Sequence, residues 1–340
     1  MVDFGNIPLM ELNEFLAEWH NDNPRILVHT SGSTGKPKPL MVEKRRMLNS
    51  ARITCDFLGL KPGDTALLCM PLDYIAGKMM VVRSLQRDLR LTTVRPSSHP
   101  LADETLPSFT FAAMVPMQVY NTLKVPRERE RLMHIRHLII GGGAISDELA
   151  QMIKPLPNAV WSTYGMTETL SHIALRRLNG PDASLWYTPF DGVGISLNAD
   201  GCLVIDAPEV CAEPLVTNDI AQLRTDDRTG KTLFRIKGRK DNVICSGGIK
   251  IQIEEVEEAL RPYLSDPFMI VKKQDAMLGE MAVLITEGKD LALIEEKCRN
   301  TLPPYWVPRM FLHIDHLPLT ETGKPRRAGH DLNLILAPRH

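Results

Sequence analysis

His137-Leu-Ile-Ile-Gly-Gly-Gly-Ala-Ile-Ser146 is the stretch on which the fold turns. A short apolar run of strand length, His137 to Ile140, leads into glycines that let the backbone bend sharply, and Ser146 is placed to cap the helix that follows. Runs of the same kind recur at Arg25 to His29, Ala66 to Met70, Leu91 to Val94, Phe109 to Val115 and Ala159 to Ser162, with helix-length segments between them. That alternation predicts βαβ units and a buried, largely parallel sheet. Ligands of such sheets gather at the carboxyl ends of the strands, and three of these runs lead into glycine-bearing loops there.

The texture changes at Phe190. As far as Arg239, short strand-like pieces alternate with turns such as Asn198-Ala-Asp-Gly201 and Asp227-Arg-Thr-Gly230, which predicts a small antiparallel subdomain or barrel over 190–239. Beyond Lys240, Ile253, Val256, Leu260 and Leu264 recur at helical spacing with glutamates on the opposite face. Two apolar runs, Phe268 to Val271 and Met281 to Ile285, and a helical pattern over Leu291 to Cys298 complete a separate α+β domain. The expected class is therefore α/β. A large N-terminal domain, 1–239, holds a mainly parallel sheet plus the small β subdomain, and a smaller α+β C-terminal domain, 240–340, follows.

The 40 basic and 41 acidic residues nearly cancel, to a formal net charge of -1, so no electrostatic footprint for nucleic acid or an anionic membrane is present. An anionic ligand has to be held by local cations. Six cysteines are scattered without zinc-type or C-x-x-C spacing, as reduced thiols are. No stretch has the length of a membrane span and the N-terminus lacks a leader pattern, so a cytoplasmic protein is expected, with neither nucleic acid nor membrane as partner. A homo-oligomer stays open.

The run Arg25 to His29 leads into Thr30-Ser-Gly-Ser-Thr-Gly-Lys-Pro-Lys38. Hydroxyls and glycines this dense can wrap phosphate oxygens with O–H and backbone N–H donors while a lysine supplies charge. The nucleoside-triphosphatase loop G-x-x-x-x-G-K-[ST] fails at both ends here, since Thr30 stands first and Pro37 follows Lys36. A plain serine-glycine linker is the alternative reading, weakened by the strand pattern in front of the loop.

This loop resembles the signature of the adenylate-forming superfamily, which includes acyl-CoA synthetases, carrier-protein adenylation domains and luciferase. The resemblance covers nearly the whole chain, through further segments in the family's order. It implies ATP binding by Thr30, Ser31, Gly32, Ser33, Thr34, Gly35 and Lys38. Tyr164-Gly165-Met-Thr167-Glu168 is similar to the family's Y-G-x-T-E, whose tyrosine stacks on adenine, whose threonine meets the α-phosphate and whose glutamate holds magnesium. Gly142, Gly143 and Ala144 resemble the segment along the adenine and acyl pocket. Asp219 of Thr217-Asn-Asp219, like Arg239 of Gly238-Arg-Lys-Asp241, is implied to bind the ribose, and Asp241 is the hinge on which a mobile C-terminal domain turns. Lys324 of Leu319-Thr-Glu-Thr-Gly-Lys324 is the implied adenylation lysine, while Ser246, Gly247 and Gly248 resemble the loop beside the CoA channel. ATP, magnesium and CoA, the latter as a substrate, are the implied cofactors.

The physical logic agrees. Bringing a carboxylate onto the α-phosphate of ATP sets anion against anion, so the site needs cations whose contacts strengthen as charge redistributes. Taken singly, each short motif has a plain structural reading, a packing tyrosine or a solvated lysine. Their joint order carries the argument.

The chain also departs from the family pattern. Only 29 residues precede the loop, as in a compact form with a shortened N-terminus; Asn218 replaces a glycine and Tyr74 stands where histidine or another aromatic is common. Tyr164 to Arg176 is most similar to o-succinylbenzoate-CoA ligases of menaquinone biosynthesis. That acid keeps one carboxylate while the other is activated, so its pocket calls for a cation or strong donor. Tyr74, Lys78 and His172 are the expected acyl-site residues, with Arg83, Arg95 and Arg176 as further cations in the same segments. Another aryl or acyl acid-CoA ligase, a carrier-protein adenylation enzyme and a non-catalytic nucleotide-binding homologue are the alternatives.

Overall fold

The computed structural model describes residues 12–29, 39–143, 145–318 and 327. Helix α1 (Leu12–His20) precedes an antiparallel ribbon of β1 (Arg25–His29) and β2 (Pro39–Glu43), with Ile26 and Val28 buried. The apolar run at Arg25 is thus a strand, but it lies outside the parallel sheet expected to contain it. Its link to β2, Thr30 to Lys38, is shorter than the dozen or so residues a parallel crossover needs, so the chain doubles back.

Helix α2 (Lys44–Leu58) ends on Gly59, whose φ of 63° and N–H bonds to the Cys55 and Asp56 carbonyls form a left-handed cap. Then come β3 (Thr65–Leu68), α3 (Ile75–Arg87), β4 (Arg90–Thr93), β5 (Phe111–Met114), α4 (Pro116–Lys124), α5 (Pro126–Met133), β6 (His137–Ile140), α6 (Asp147–Ile153), β7 (Ala159–Gly165), β8 (His172–Arg177) and β9 (Thr188–Pro189). The seven strands form one sheet in the order β4-β3-β5-β6-β7-β8-β9. From β4 to β7 every pairing is parallel, as the βαβ rhythm predicts, and the last two are antiparallel. Leu67, Ala112, Met114, Leu138, Ile140 and Val160 of this sheet share a core with Val119 of α4 and Leu149 and Ile153 of α6. On α3, every residue from Gly77 to Ser84 is buried, so this helix takes two cations, Lys78 and Arg83, into the interior.

Strands β10 (Gly194–Leu197), β11 (Cys202–Asp206), β12 (Leu215–Thr225) and β13 (Thr232–Arg239) form a four-stranded sheet in chain order. The remaining elements are β14 (Val243–Ser246), β15 (Ile249–Gln252), α7 (Ile253–Leu260), β16 (Phe268–Asp275), β17 (Gly279–Thr286), α8 (Leu291–Thr301) and β18 (Met310–His313). Their sheet runs β15-β14-β17-β16, with β18 parallel to β17. Ile253, Val256, Leu260 and Leu264 are all buried in its core, as their helical spacing requires. The chain divides into two compact units, 1–196 with 204–215 and 223–235, and 197–203 with 216–222 and 236–340.

Candidate active site

In the first unit, the functional segments sit at the carboxyl ends of β6 and β7. A Cβ on Gly141 would lie 2.5 Å from Thr163 Oγ1, so only glycine lets the loop pass this close to β7. Gly142 adopts a φ of 78°, the Gly143 backbone follows, and Ser146 accepts the Leu149 N–H as the N-cap of α6. At the end of β7, Gly165 abuts the Ser171 carbonyl and His172 Cα so closely that a side chain there would displace β8. The β7–β8 register shifts between Tyr164 and Gly165, which frees the next residues to form a 3-10 turn, Thr167–Thr169. Thr169 Oγ1 bonds with the Met166 backbone, and Leu170 takes a φ of 64°, unusual without glycine. This turn buries Thr167 and leaves Glu168 exposed. The Tyr164 ring packs against Tyr187 (centroids 5.7 Å apart) and Phe234 (5.0 Å).

Below the same turn lies a chain of polar groups that local sequence does not reveal. Arg83 is 2% exposed, and its Nη2 donates to Ser171 Oγ at 2.6 Å. Ser171 Oγ lies 3.2 Å from His172 Nδ1, and His172 Nε2 lies 3.1 Å from Thr54 Oγ1. The Thr54 hydroxyl is committed to the Ser50 carbonyl (3.0 Å), so the chain closes when Nε2 carries the ring proton and Ser171 donates to Nδ1. Burial, with Arg83 adding to it, pushes His172 well below its ordinary value, and the ring is neutral. Burial also lowers the Arg83 guanidinium to about 10. Among the described residues no carboxylate pairs with it, and its Nε has no partner.

Tyr74 is half-buried at the N-cap of α3. Lys78 turns to other partners: its Nζ donates to the Leu27 carbonyl (2.8 Å), lies 3.9 Å from Glu18 and stands over the Phe15 ring. The lysine ties α3 to α1 and β1. His172 is not among these partners.

The second unit brings the implied ribose and hinge residues together. Thr217 is buried and donates to the Leu203 carbonyl while accepting the Asp219 N–H, which fixes the strand at Asp219. Arg239 Nη1 meets Asp219 Oδ1 at 3.4 Å and Nη2 meets Asp241 Oδ2 at 2.8 Å. Burial disfavours the Arg239 charge, yet the bond to Asp241 and the nearby Asp219 and Glu254 outweigh it and raise the guanidinium above its ordinary value. Asn218, the departure from the family's glycine, reaches Asp241 Oδ2 at 3.4 Å. Gly238 packs so tightly on Gln252 and Glu254 that a Cβ would collide with both. Gly247 and Gly248, with φ of 56° and 85°, form the two-residue turn between β14 and β15, flanked by the Ser246–Ile249 pair. The phosphate loop residues Thr30, Ser31, Gly32, Ser33, Thr34, Gly35 and Lys38, together with Ala144 and Lys324, lie outside the described residues.

Glycine loops at the carboxyl ends of a mainly parallel sheet define an α/β ligand-binding fold. The family profile described as AMP-binding enzyme matches residues 8–212. An acyl-CoA synthetase (AMP-forming)/AMP-acid ligase II-like protein from Dyadobacter fermentans is 33% identical, with a TM-score of 0.65 over 92% of this chain and 90% of that one. The 2-succinylbenzoate–CoA ligase of Listeria innocua is 24% identical over 333 residues, 91% of this chain and 70% of the relative. The o-succinylbenzoate CoA synthetase of Bacillus subtilis, solved with its acyl-adenylate intermediate, shares the fold at a TM-score of 0.70 and 22% identity, over 92% of this chain and 69% of that one. The chain belongs to the AMP-binding enzyme family.

Proposed function

We propose that this chain is an acid–thiol ligase that converts o-succinylbenzoate and CoA to o-succinylbenzoyl-CoA through an acyl-adenylate. One carboxylate oxygen attacks the α-phosphorus of ATP and pyrophosphate leaves. The CoA thiolate then attacks the acyl carbon, forming the thioester and releasing AMP. Relatives named for this substrate support the reading. So does one observation in the chain itself, the buried Arg83 guanidinium that no described carboxylate neutralises. A buried cation without a counter-charge is costly, and the spare carboxylate of o-succinylbenzoate is the anion that would supply it. Ser171, bonded to Arg83 and half-exposed, stands between that charge and solvent, with neutral His172 behind it as an orienting group.

The remaining roles are proposed with it. Tyr164 and the Gly142–Gly143 backbone line the adenine, Asp219 and Arg239 hold the ribose, and Thr167 meets the α-phosphate. Glu168 suits magnesium, which takes one or two carboxylates plus phosphate oxygens. Its exposed carboxylate is free to face a nucleotide, and no described group of three or more His, Cys, Asp or Glu forms a protein-only cage. Magnesium supplies charge neutralisation on the phosphates. Lys324 would carry the cation for adenylation, Asp241 the hinge, and Ser246 to Gly248 the CoA side. The free cysteine thiols fit a reducing, cytoplasmic location. No described helix is long and apolar enough to cross a membrane.

The test is pyrophosphate release from MgATP with o-succinylbenzoate, with and without CoA, against benzoates and fatty acids. Turnover confined to o-succinylbenzoate and completed by CoA supports the reading. Turnover with another acid alone removes the substrate assignment, and completion only by a phosphopantetheinyl carrier protein removes CoA.

A further inference from the structure

We infer that the first unit carries a second small-molecule site, a cleft that takes an aromatic carboxylate and is separate from the nucleotide and acyl positions proposed above. The cleft has a volume of about 420 Å³, within the range of small-ligand pockets, and all of its lining belongs to the first unit. Trp161 of β7 and Arg177 of β8, opposite each other in the β7–β8 register, line it from the sheet. Phe57 of α2 meets the Trp161 ring nearly edge-on at 5.6 Å, and Trp186, just before β9, and Arg224, near the end of β12, complete the lining that matters here. Trp161 and Tyr164 stand three residues apart on β7, so their side chains leave opposite faces of the sheet. The cleft therefore lies across the sheet from the proposed adenine position, and neither Arg83 nor Ser171 lines it.

Each arginine is stacked on an indole. The Arg177 guanidinium carbon stands 5.1 Å from the centre of the Trp161 ring, and that of Arg224 stands 4.6 Å from the centre of Trp186. A guanidinium laid on a ring still has its in-plane N–H fork to offer, the geometry that fits a planar carboxylate. Among the described residues neither arginine forms a salt bridge. Arg177 donates to neutral oxygens, Asn179 Oδ1 at 3.0 Å and the Asn158 carbonyl at 3.4 Å, and no described group accepts from Arg224. Burial lowers the Arg177 guanidinium below its ordinary value, and the charge of exposed Asp182 offsets this only in part. Asp226 is held in its own turn, accepting the Arg228 N–H and the Thr229 hydroxyl, both at 3.0 Å. The Trp161 indole N–H is buried and has no acceptor. A neutral arene would leave these donors unmet and an aliphatic acid would leave the three rings bare, whereas an aromatic carboxylate answers both.

The experiment measures 2-naphthoate binding to the full chain, without ATP or CoA, by calorimetry and by the indole N–H resonances of its four tryptophans. Saturable binding with a Kd below about 1 mM is expected in the parent and in Arg83→Met, and weakening of about tenfold or more in Arg224→Gln and in Trp186→Leu. Arg224 is exposed, so its substitution probes the cleft without disturbing the core. The Trp161 and Trp186 resonances should move while those of Trp19 and Trp306 stay, and neutral 2-naphthamide should bind about tenfold more weakly than the acid. Binding that is lost in Arg83→Met and kept in the two cleft variants would place the acid in the acyl pocket alone and overturn the inference. So would the absence of saturable binding in the parent at millimolar 2-naphthoate, an amide bound as tightly as the acid, or unmoved Trp161 and Trp186 resonances in the parent, a readout that needs no variant to fold.

Discussion

The Arg83 guanidinium and the Ser171 hydroxyl meet at 2.6 Å, and that hydroxyl is the only oxygen among the described residues to which Arg83 donates. A cation held this way is under-neutralised until an anion arrives. Substituting Arg83 by Met, of similar length, should therefore separate stability from function. The variant should melt at or above the temperature of the parent while the KM for o-succinylbenzoate rises at least tenfold and the KM for ATP stays within twofold. Thermal melts and steady-state kinetics check this; an unchanged acid KM would take Arg83 out of the acyl pocket.

Gly165 predicts a second outcome. Its neighbours across the bulge, Ser171 and His172, leave no room for a methyl group, so Gly165→Ala must push β8 outward. The displaced residues include Ser171, which accepts from Arg83. Stability should drop by about 1–3 kcal/mol, and activity should drop further than the unfolded fraction explains. Urea unfolding and kcat/KM, measured on the same samples, test it.

Acid stability follows from His137. Burial first, then Arg136 and Arg177, lower this imidazole from 6.5 to about 4, and both its ring nitrogens are buried without partners. The unfolded chain protonates first as pH falls, so the stability this group contributes is present above pH 6.5 and is lost between 6.5 and about 4. His137→Phe should flatten the pH dependence of the unfolding free energy, measured by urea titration, across that window. Parallel curves for parent and variant would contradict this.

Asn218 supplies a fourth prediction. Its amide reaches Asp241 Oδ2, which also receives Arg239. Asn218→Gly removes one of the two donors that restrain the proposed hinge. The ratio of thioester formation to adenylation should shift by a few-fold with overall stability unchanged, measured by single-turnover assays of each half. An unchanged ratio would show that the bond does not bear on the hinge.

Patterns that repeat locally were legible in the sequence. The face Ile253, Val256, Leu260 and Leu264 is buried as its spacing demands, and Ser146 caps α6 where the glycine loop ends. The parallel pairing of β4 to β7 was expected from the alternation, though not the order of the strands. Pairing at a distance was not legible. β1 belongs to a ribbon because its partner is fixed by a short connection, and apolarity alone does not distinguish the two. β8 begins at a glycine-dictated bulge, a cue invisible without knowing what Gly165 touches. Lys78 and Arg83 read alike as cations on one helix; their partners, Leu27 and Ser171, lie 51 and 88 residues away and set them apart. The apolar run Met79 to Val82 is flanked by both cations, so local sequence does not distinguish them.

Ile270, Glu257 and Arg327 are joined by hydrogen bonds that bear on solution behaviour: Arg327 donates to both Glu257 carboxylate oxygens and to the Ile270 carbonyl. Strands at the end of a sheet are templates on which other chains can add, and Met269, Ile270 and Val271 of β16 form an apolar run well suited to it. Here the N–H of Ile270 donates to Glu257 of α7, and its C=O accepts from Arg327 of the chain's own tail. A protein trimmed before Arg327 would bare that carbonyl and leave the buried Glu257 without its counter-charge, and its first symptom would be precipitation on standing.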